Sequence, residues 1–251
     1  MIDDLGTPLA RRPAVVRRVV SLVPSLTEAL ASVDRGALVG VTDWCTHPGD
    51  LEVPRIRGTK NPDTRAIAAL APDLVIANKE ENRELDVRRL RAAGVEVWVT
   101  DIETVPQSIA SMERLFDEAL GWDRPAWLGT ARQLWCTDPT PARARVAVPI
   151  WRDPWMVVGR DTFTGDLLAR AGLPNVFADH AERYPALDLA VIDGAGADAV
   201  LLPDEPYVFT ADDGPESFAR TPTELVEGRL ITWYGPSLIE AHAVLQALLP
   251  R

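Results

Sequence analysis

The chain has 251 residues, of which 37 are acidic and 26 are lysine or arginine, so its formal net charge is −11. This balance lacks the basic stripe that nucleic-acid binding requires and disfavours contact with anionic membranes. The hydrophobic fraction of 47% is sufficient for a sizeable core and excludes a wholly disordered chain. No stretch has the length and apolarity of a membrane span, so no membrane insertion is expected.

The N-terminal sequence predicts the cellular compartment. Residues 1–13 contain acidic residues, a glycine, a proline and the pair Arg11-Arg12, but neither an apolar run nor a lipidated cysteine. These features predict a cytosolic protein. In that compartment Cys45 and Cys136 are expected to be reduced thiols rather than a disulfide.

Short β-branched runs alternate with helical patterns in the first half of the chain. After the first run, Ser25 and Glu28 form a capping-box pattern that predicts the start of a helix. Asp63 is expected to cap a later helix. The alternation indicates a mostly parallel sheet with helices on both faces. The predicted strands are Arg18–Val23, Leu38–Thr42, Asp73–Asn78 and Glu96–Thr100.

The second half repeats this order of elements after a connecting segment. A helix is expected within Asp123–Trp135, and further helices from Thr162 and from Ser237. The predicted fold class is α/β, with two Rossmann-like lobes of mostly parallel sheets joined by a single connecting helix. The predicted strands are Ala144–Trp151, Ala199–Leu202 and Leu230–Trp233. The expected boundaries are 15–121 for the first lobe, 122–143 for the connector and 144–251 for the second lobe.

Candidate ligand-binding residues follow the predicted strands, because open α/β sheets bind ligands at the carboxyl ends of their strands. Two such lobes would form a cleft for the ligand. Four of the 8 tryptophans fall at predicted strand ends, which favours a broad, flat, partly apolar ligand, although some are expected to pack in the core. The candidates are Ser25, Trp44, His47, Thr59, Lys60, Asn78, Lys79, Trp151, Arg152, Trp155, Trp233 and Tyr234.

The sequence supports a binding protein better than a metal centre or an enzyme. Thiolate and imidazole are both metal ligands, so His47 is a candidate metal ligand beside Cys45, but two residues do not make a zinc finger. No G-x-S-x-G motif predicts a nucleophilic serine. Asp161 and Asp166 are possible acid/base groups, although such carboxylates more often cap helices or lie at the surface.

Several segments resemble the class III periplasmic-binding fold, whose members bind cobalamin, ferric siderophores or heme and are also called helical backbone metal receptors. The resemblance covers most of the chain from Arg18 to Leu249. It is carried by Arg18–Glu28, Val39–Asp43, Ala71–Ala77, Asn175-Val-Phe177 and Tyr184-Pro185.

The resemblance implies two rigid lobes with the ligand in the cleft. By position, Trp44 takes the place of an aromatic residue that packs on the corrinoid in cobalamin binders, and 57–61 forms the next cleft loop. Family members that serve a transporter dock through one glutamate on each lobe. Arg65 and Ala190 stand at these positions, so permease docking is doubtful. Several motifs, among them Trp151–Trp155, resemble a cytosolic branch without a signal peptide.

The leading hypothesis is a cytosolic binding protein for a corrinoid, another tetrapyrrole or a metal chelate, with no required cofactor. The tryptophans would stack on the ligand, Arg152, Lys79 and Asn78 would meet its polar periphery, and His47 would reach a central metal. Three alternatives remain open: an uptake receptor of an ABC transporter for cobalamin or ferric siderophore, a cytosolic enzyme that modifies a small molecule, and a regulatory module that binds another protein.

Overall fold

The computed structural model describes residues 1–9 and 13–249, so Arg11 and Arg12 of the N-terminal pattern and the last two residues of the predicted second lobe lie outside the described residues. The chain divides into two compact units. Unit 1 contains Met1–Ile102, Gln107–Thr130 and Tyr234–Pro236. Unit 2 contains Glu103–Pro106, Ala131–Trp233 and the chain from Ser237 onward.

Unit 1 is built on a four-stranded sheet in which all neighbouring strands are parallel, in the order β2-β1-β3-β4. The β-branched runs that predicted buried strands form its centre, and Trp98 of β4 is fully buried, as expected of a core residue. The strands are β1 (Val19–Ser21), β2 (Leu38–Val41), β3 (Leu74–Asn78) and β4 (Val97–Thr100).

The helices of unit 1 begin and end at the residues that their local chemistry favours. The carboxylate of Asp63 accepts the backbone N–H groups of Arg65 and Ala66, which confirms it as the cap of α2. Gly94, with φ of 79°, lies just beyond α3 in the left-handed region that ends helices. The helices are α1 (Pro24–Asp34), α2 (Thr64–Ala69) and α3 (Glu84–Ala92).

Two helices contain boundaries between the units along the chain. Helix α4 (Val105–Arg114) continues as a π-helical turn, Leu115–Leu120. Helix α5 (Ala126–Trp135) lies within the predicted connecting segment. The N-terminal turn is a further part of unit 1: the buried carboxylate of Asp3 lies 2.8 Å from a guanidinium nitrogen of Arg91.

Unit 2 contains a parallel three-stranded sheet in the order β5-β8-β9 and an antiparallel hairpin, β6-β7. Thr162 caps α6 by accepting the backbone N–H of Gly165 at 3.1 Å. The elements are β5 (Val146–Ala147), β6 (Pro149–Trp151), β7 (Met156–Val157), α6 (Phe163–Arg170), α7 (Leu189–Asp193), β8 (Ala199–Pro203), β9 (Thr223–Val226), α8 (Arg229–Thr232) and α9 (Ser237–Ala247).

Three expectations from the sequence are wrong in detail. The run predicted as a strand at Leu230–Trp233 is the short helix α8, and the parallel strand β9 lies earlier, in a segment without a clear pattern. The single strand predicted over Ala144–Trp151 is divided into β5 and β6. Ser25 does not cap α1, because that helix begins at Pro24 and its N-cap residue is Val23, without a side-chain hydrogen bond.

Among the described residues, no helix combines the length and the apolar character needed to cross a membrane.

Candidate functional site

The carboxyl edge of the unit 1 sheet is organised by two buried asparagines in the turn between β3 and α3. The side-chain oxygen of Asn78 accepts the backbone N–H groups of Glu80 and Glu81 at 2.8 and 3.2 Å. The side chain of Asn82 accepts the backbone N–H of Asn78 at 2.8 Å and donates to the carbonyls of Leu22 and Thr59. Both amides therefore hold the turn through hydrogen bonds.

Three of the other candidates meet at this turn. The ammonium group of Lys60 donates to the carbonyl of Glu80, and the carbonyl of Thr59 accepts from Asn82. Lys79 forms an ion pair with Asp101, which follows β4, at 2.7 Å. Lys60 and Lys79 are exposed. The turn thus presents two cations and two glutamates beside the carboxyl ends of β3 and β4.

Trp44 is the most exposed aromatic candidate, with 63% of its surface accessible to solvent. It lies just beyond β2, and its indole borders the backbone of Gly58. An exposed indole near the carboxyl end of a strand offers a flat apolar face on which a ligand can stack. Trp44 is therefore the strongest ligand-stacking candidate in unit 1.

Beneath this edge, Ser25 and Tyr234 are buried. Burial raises the pKa of the Tyr234 phenol well above its usual value, and the nearby carboxylate of Glu81 raises it further, while hydrogen bonding with Ser25 and Thr100 opposes the rise. Tyr234 is thus a neutral, buried phenol close to the carboxyl edge of the sheet. Although it is far along the sequence, it belongs to unit 1.

His47 and Cys45 share a loop but not an environment. The Cys45 thiol is fully buried, lies 3.0 Å from the hydroxyl of Thr27 and 3.1 Å from that of Thr42, and has a pKa raised mainly by burial. His47 is partly exposed. Within the described residues, no group of three or more His, Cys, Asp or Glu side chains is placed to hold a metal ion.

In unit 2, Trp151 and Arg152 lie at the end of β6 and contact the long loop after β8. The indole of Trp151, 43% exposed, packs edge-on against Tyr207 with the ring centroids 5.7 Å apart. Arg152 forms ion pairs with Asp213 and with Glu216, the latter at 2.7 Å. The guanidinium is thus neutralised by carboxylates of its own unit.

The other two candidate tryptophans, Trp155 and Trp233, are buried. Trp155 stacks on Phe209 with centroids 5.8 Å apart and packs edge-on against Phe218, so its neighbours are core residues of unit 2. Trp233 follows helix α8 rather than a strand and is only 6% exposed. Both side chains therefore contribute packing within the protein.

Several residues that shape these surfaces were not selected from the sequence as site residues. Tyr207, Asp213 and Glu216 lie in the loop between β8 and β9, where no motif or periodicity marked them. The hydroxyl of Tyr207 donates to Asp213 at 2.7 Å. The feature of the sequence that could have indicated these residues is the run of aromatic and acidic residues Tyr207–Glu216, which follows a buried strand.

The two carboxylates proposed for acid/base chemistry have separate local roles. Asp166 accepts the backbone N–H of Val105 and the Nε–H of Arg170, each at 2.8 Å. Asp161 is exposed and pairs with its neighbour Arg160 at 2.9 Å. Asp166 is thus engaged in structural contacts, and Asp161 pairs with its neighbour at the surface.

Comparison with solved structures identifies the fold. The periplasmic vitamin B12 binding protein of Vibrio cholerae superposes with a TM-score of 0.71 at 18% identity, over 92% of this chain and 96% of that one. A periplasmic heme binding protein from Pseudomonas aeruginosa superposes with a TM-score of 0.77 at 22% identity, over 93% and 92%. The chain has the class III periplasmic-binding-protein fold, as the sequence predicted.

Curated proteins give matching relatives at the level of sequence. The vitamin B12-binding protein of Salmonella typhi is 26% identical over 198 residues, which is 74% of this chain and 73% of the relative. The protein of the same name from Salmonella typhimurium is 26% identical over 178 residues, 67% of this chain and 65% of the relative, slightly less than two thirds of its length. No family model matches the chain.

These comparisons correct the predicted compartment. The vitamin B12-binding and heme-binding proteins among the matching solved structures are described as periplasmic. This finding contradicts the prediction of a cytosolic protein, which was wrong, and removes the compartment argument for reduced cysteines. Cys45 and Cys136 are nevertheless both free thiols in the structure.

Proposed function

We propose that this protein is a periplasmic binding protein for a corrinoid or another tetrapyrrole. The observation that carries the proposal is the exposed indole of Trp44 at the carboxyl end of β2, in a chain similar to vitamin B12-binding proteins along most of its length. A flat macrocycle buries its large apolar face against such an indole. No catalytic step is required.

The surroundings of Trp44 match the periphery of such a ligand. The turn between β3 and α3 offers Lys60, Lys79, Glu80 and Glu81, which can form charge-assisted hydrogen bonds with amide or carboxylate substituents. The two buried asparagines of the turn hold its backbone by hydrogen bonds, so these groups are positioned before the ligand arrives. Such preorganisation lowers the entropic cost of binding.

The test is a titration of the full chain with cyanocobalamin and with hemin, followed by absorbance and by calorimetry. We expect one of the two to bind, and Trp44→Ala to weaken that binding about tenfold or more. Leu85→Ala is a matched control, because Leu85 is also an exposed apolar residue of unit 1, on α3. Absence of a spectral change and of binding heat with both compounds would contradict the proposal.

His47 is proposed as the residue that approaches the central metal of the macrocycle. It is partly exposed and lies three residues beyond Trp44 on the same loop. If its imidazole coordinates the metal, His47→Ala changes the visible spectrum of the bound macrocycle. An unchanged spectrum with retained affinity would leave the stacking proposal intact and remove the metal role of His47.

A further inference from the structure

The indole of Trp44 lies against the one position in the neighbouring loop that has no side chain. A Cβ atom built on Gly58 would be 3.2 Å from Nε1 of Trp44 and 2.6 Å from Oδ1 of Asn61. The first distance is tighter than most real Cβ contacts, and the second is a clash. Even a methyl group at residue 58 therefore competes with the indole for its space.

The backbone does not require glycine at this position. Positive φ values in this loop occur at Arg57, with φ of 69°, and not at Gly58. An alanine would therefore fit the backbone at residue 58 without left-handed strain. The demand for a missing side chain comes from Trp44 and Asn61 rather than from the turn.

The loop that carries Gly58 is anchored, so it cannot simply retreat from an added methyl group. Asn82 donates to the carbonyl of Thr59 at 3.0 Å, and Lys60 donates to the carbonyl of Glu80. The backbone N–H of Asp63 donates to the carbonyl of Ile56 at 2.9 Å. Asn61 is exposed and can rotate away, so the remaining adjustment falls on the indole.

We propose that Gly58 is the positioning residue of Trp44: the missing side chain leaves the space in which the exposed indole lies and so prepares the stacking surface before ligand arrives. This inference rests on the proposed function for its consequence in binding, but not for its geometry. Because Trp44 is mostly exposed, moving its ring changes the free energy of unfolding little. A displaced indole, however, loses contact area with a rigid macrocycle and so weakens binding.

The experiment compares Gly58→Ala with Gly49→Ala, a loop glycine of the same unit that also has no positive φ. A Cβ at Gly49 would meet only the carbonyl of Thr46, at the ordinary contact distance of 3.7 Å. The first readout needs no ligand: the indole N–H resonance of Trp44, assigned by its loss in Trp44→Phe. We expect Gly58→Ala to shift this resonance and Gly49→Ala to leave it in place.

The second readout is a double-mutant cycle with the macrocycle that binds the wild type, cyanocobalamin or hemin. Gly58→Ala should weaken binding about tenfold in the wild-type background and have almost no further effect in Trp44→Ala, because it acts through the indole. Equal losses in both backgrounds, or an unmoved Trp44 resonance, would overturn the inference. If neither compound binds the wild type, the proposed function fails, and the resonance alone decides whether Gly58 positions Trp44.

Discussion

The tryptophans near the ends of strands differ between the two units in exposure and packing. In unit 1, Trp44 stays exposed beside a turn that buried amides hold in place. In unit 2, Trp155 is buried between Phe209 and Phe218, and Trp151 packs edge-on against Tyr207. The same sequence signal, a tryptophan after a strand, therefore marks a free surface in one unit and packing in the other, depending on which loop lies beside it.

The largest effect is expected from removing the buried aromatic of unit 2. Trp155→Ala should lower the free energy of unfolding by about 3–5 kcal/mol, the usual range for truncating a buried Trp, because it empties the space between Phe209 and Phe218. Chemical denaturation measures this change. A loss below about 1 kcal/mol would show that Trp155 is not the packing residue that distinguishes unit 2.

The next largest effect is expected from the amide scaffold of unit 1. Asn82→Ala removes the acceptor of the buried N–H of Asn78 and the donor to two carbonyls, and each buried group left unsatisfied costs about 1–3 kcal/mol. We expect a loss of about 2–4 kcal/mol in stability, together with weaker macrocycle binding. A loss below about 1 kcal/mol in Asn82→Ala would contradict this role.

A smaller effect on stability is expected at the two exposed indoles, and it should differ between the units. Trp44→Ala should change the free energy of unfolding by no more than about 0.5 kcal/mol, as at most exposed sites. Trp151→Ala should cost about 1 kcal/mol, because it loses the edge-on contact with Tyr207. Thermal and chemical denaturation of both variants would test the contrast, and a large loss at Trp44 would reverse it.

The smallest effect concerns pH and a buried carboxylate of unit 2. Burial tends to raise the pKa of Asp193, but the backbone N–H groups of Thr221, Ala219 and Arg220 lower it below its usual value. Since the folded pKa is the lower one, the ionised carboxylate stabilises the fold above the unfolded pKa of about 4 and loses this contribution as the pH falls through the folded value.

Asp193→Asn tests that linkage. The stability advantage of the wild type over the variant should be constant above about pH 5 and shrink steadily on acidification below the unfolded pKa of about 4. Urea denaturation between neutral and acidic pH measures it. Glu224→Gln, at an exposed position on strand β9, is the control for removing a carboxylate from the same unit. An advantage that is independent of pH would contradict the role of Asp193.

The local patterns in the sequence were sufficient for much of the fold. The β-branched runs around Val19 and Leu74 formed buried parallel strands, and Asp63 capped a helix as expected. These features could be predicted because they depend on side chains and backbone preferences within a few residues. The strand expected at Leu230–Trp233 failed because a short apolar run fits a buried helix equally well.

The sequence by itself determined the class of the fold and the places where ligand residues are to be sought, because the positions of most strands follow from local periodicity. Only the tertiary structure decided what each side chain does there. Asn78 is used to hold a turn, Trp155 packs on Phe209, and Trp44 stays exposed over Gly58. These outcomes depend on contacts between residues far apart in the chain, which no local pattern records.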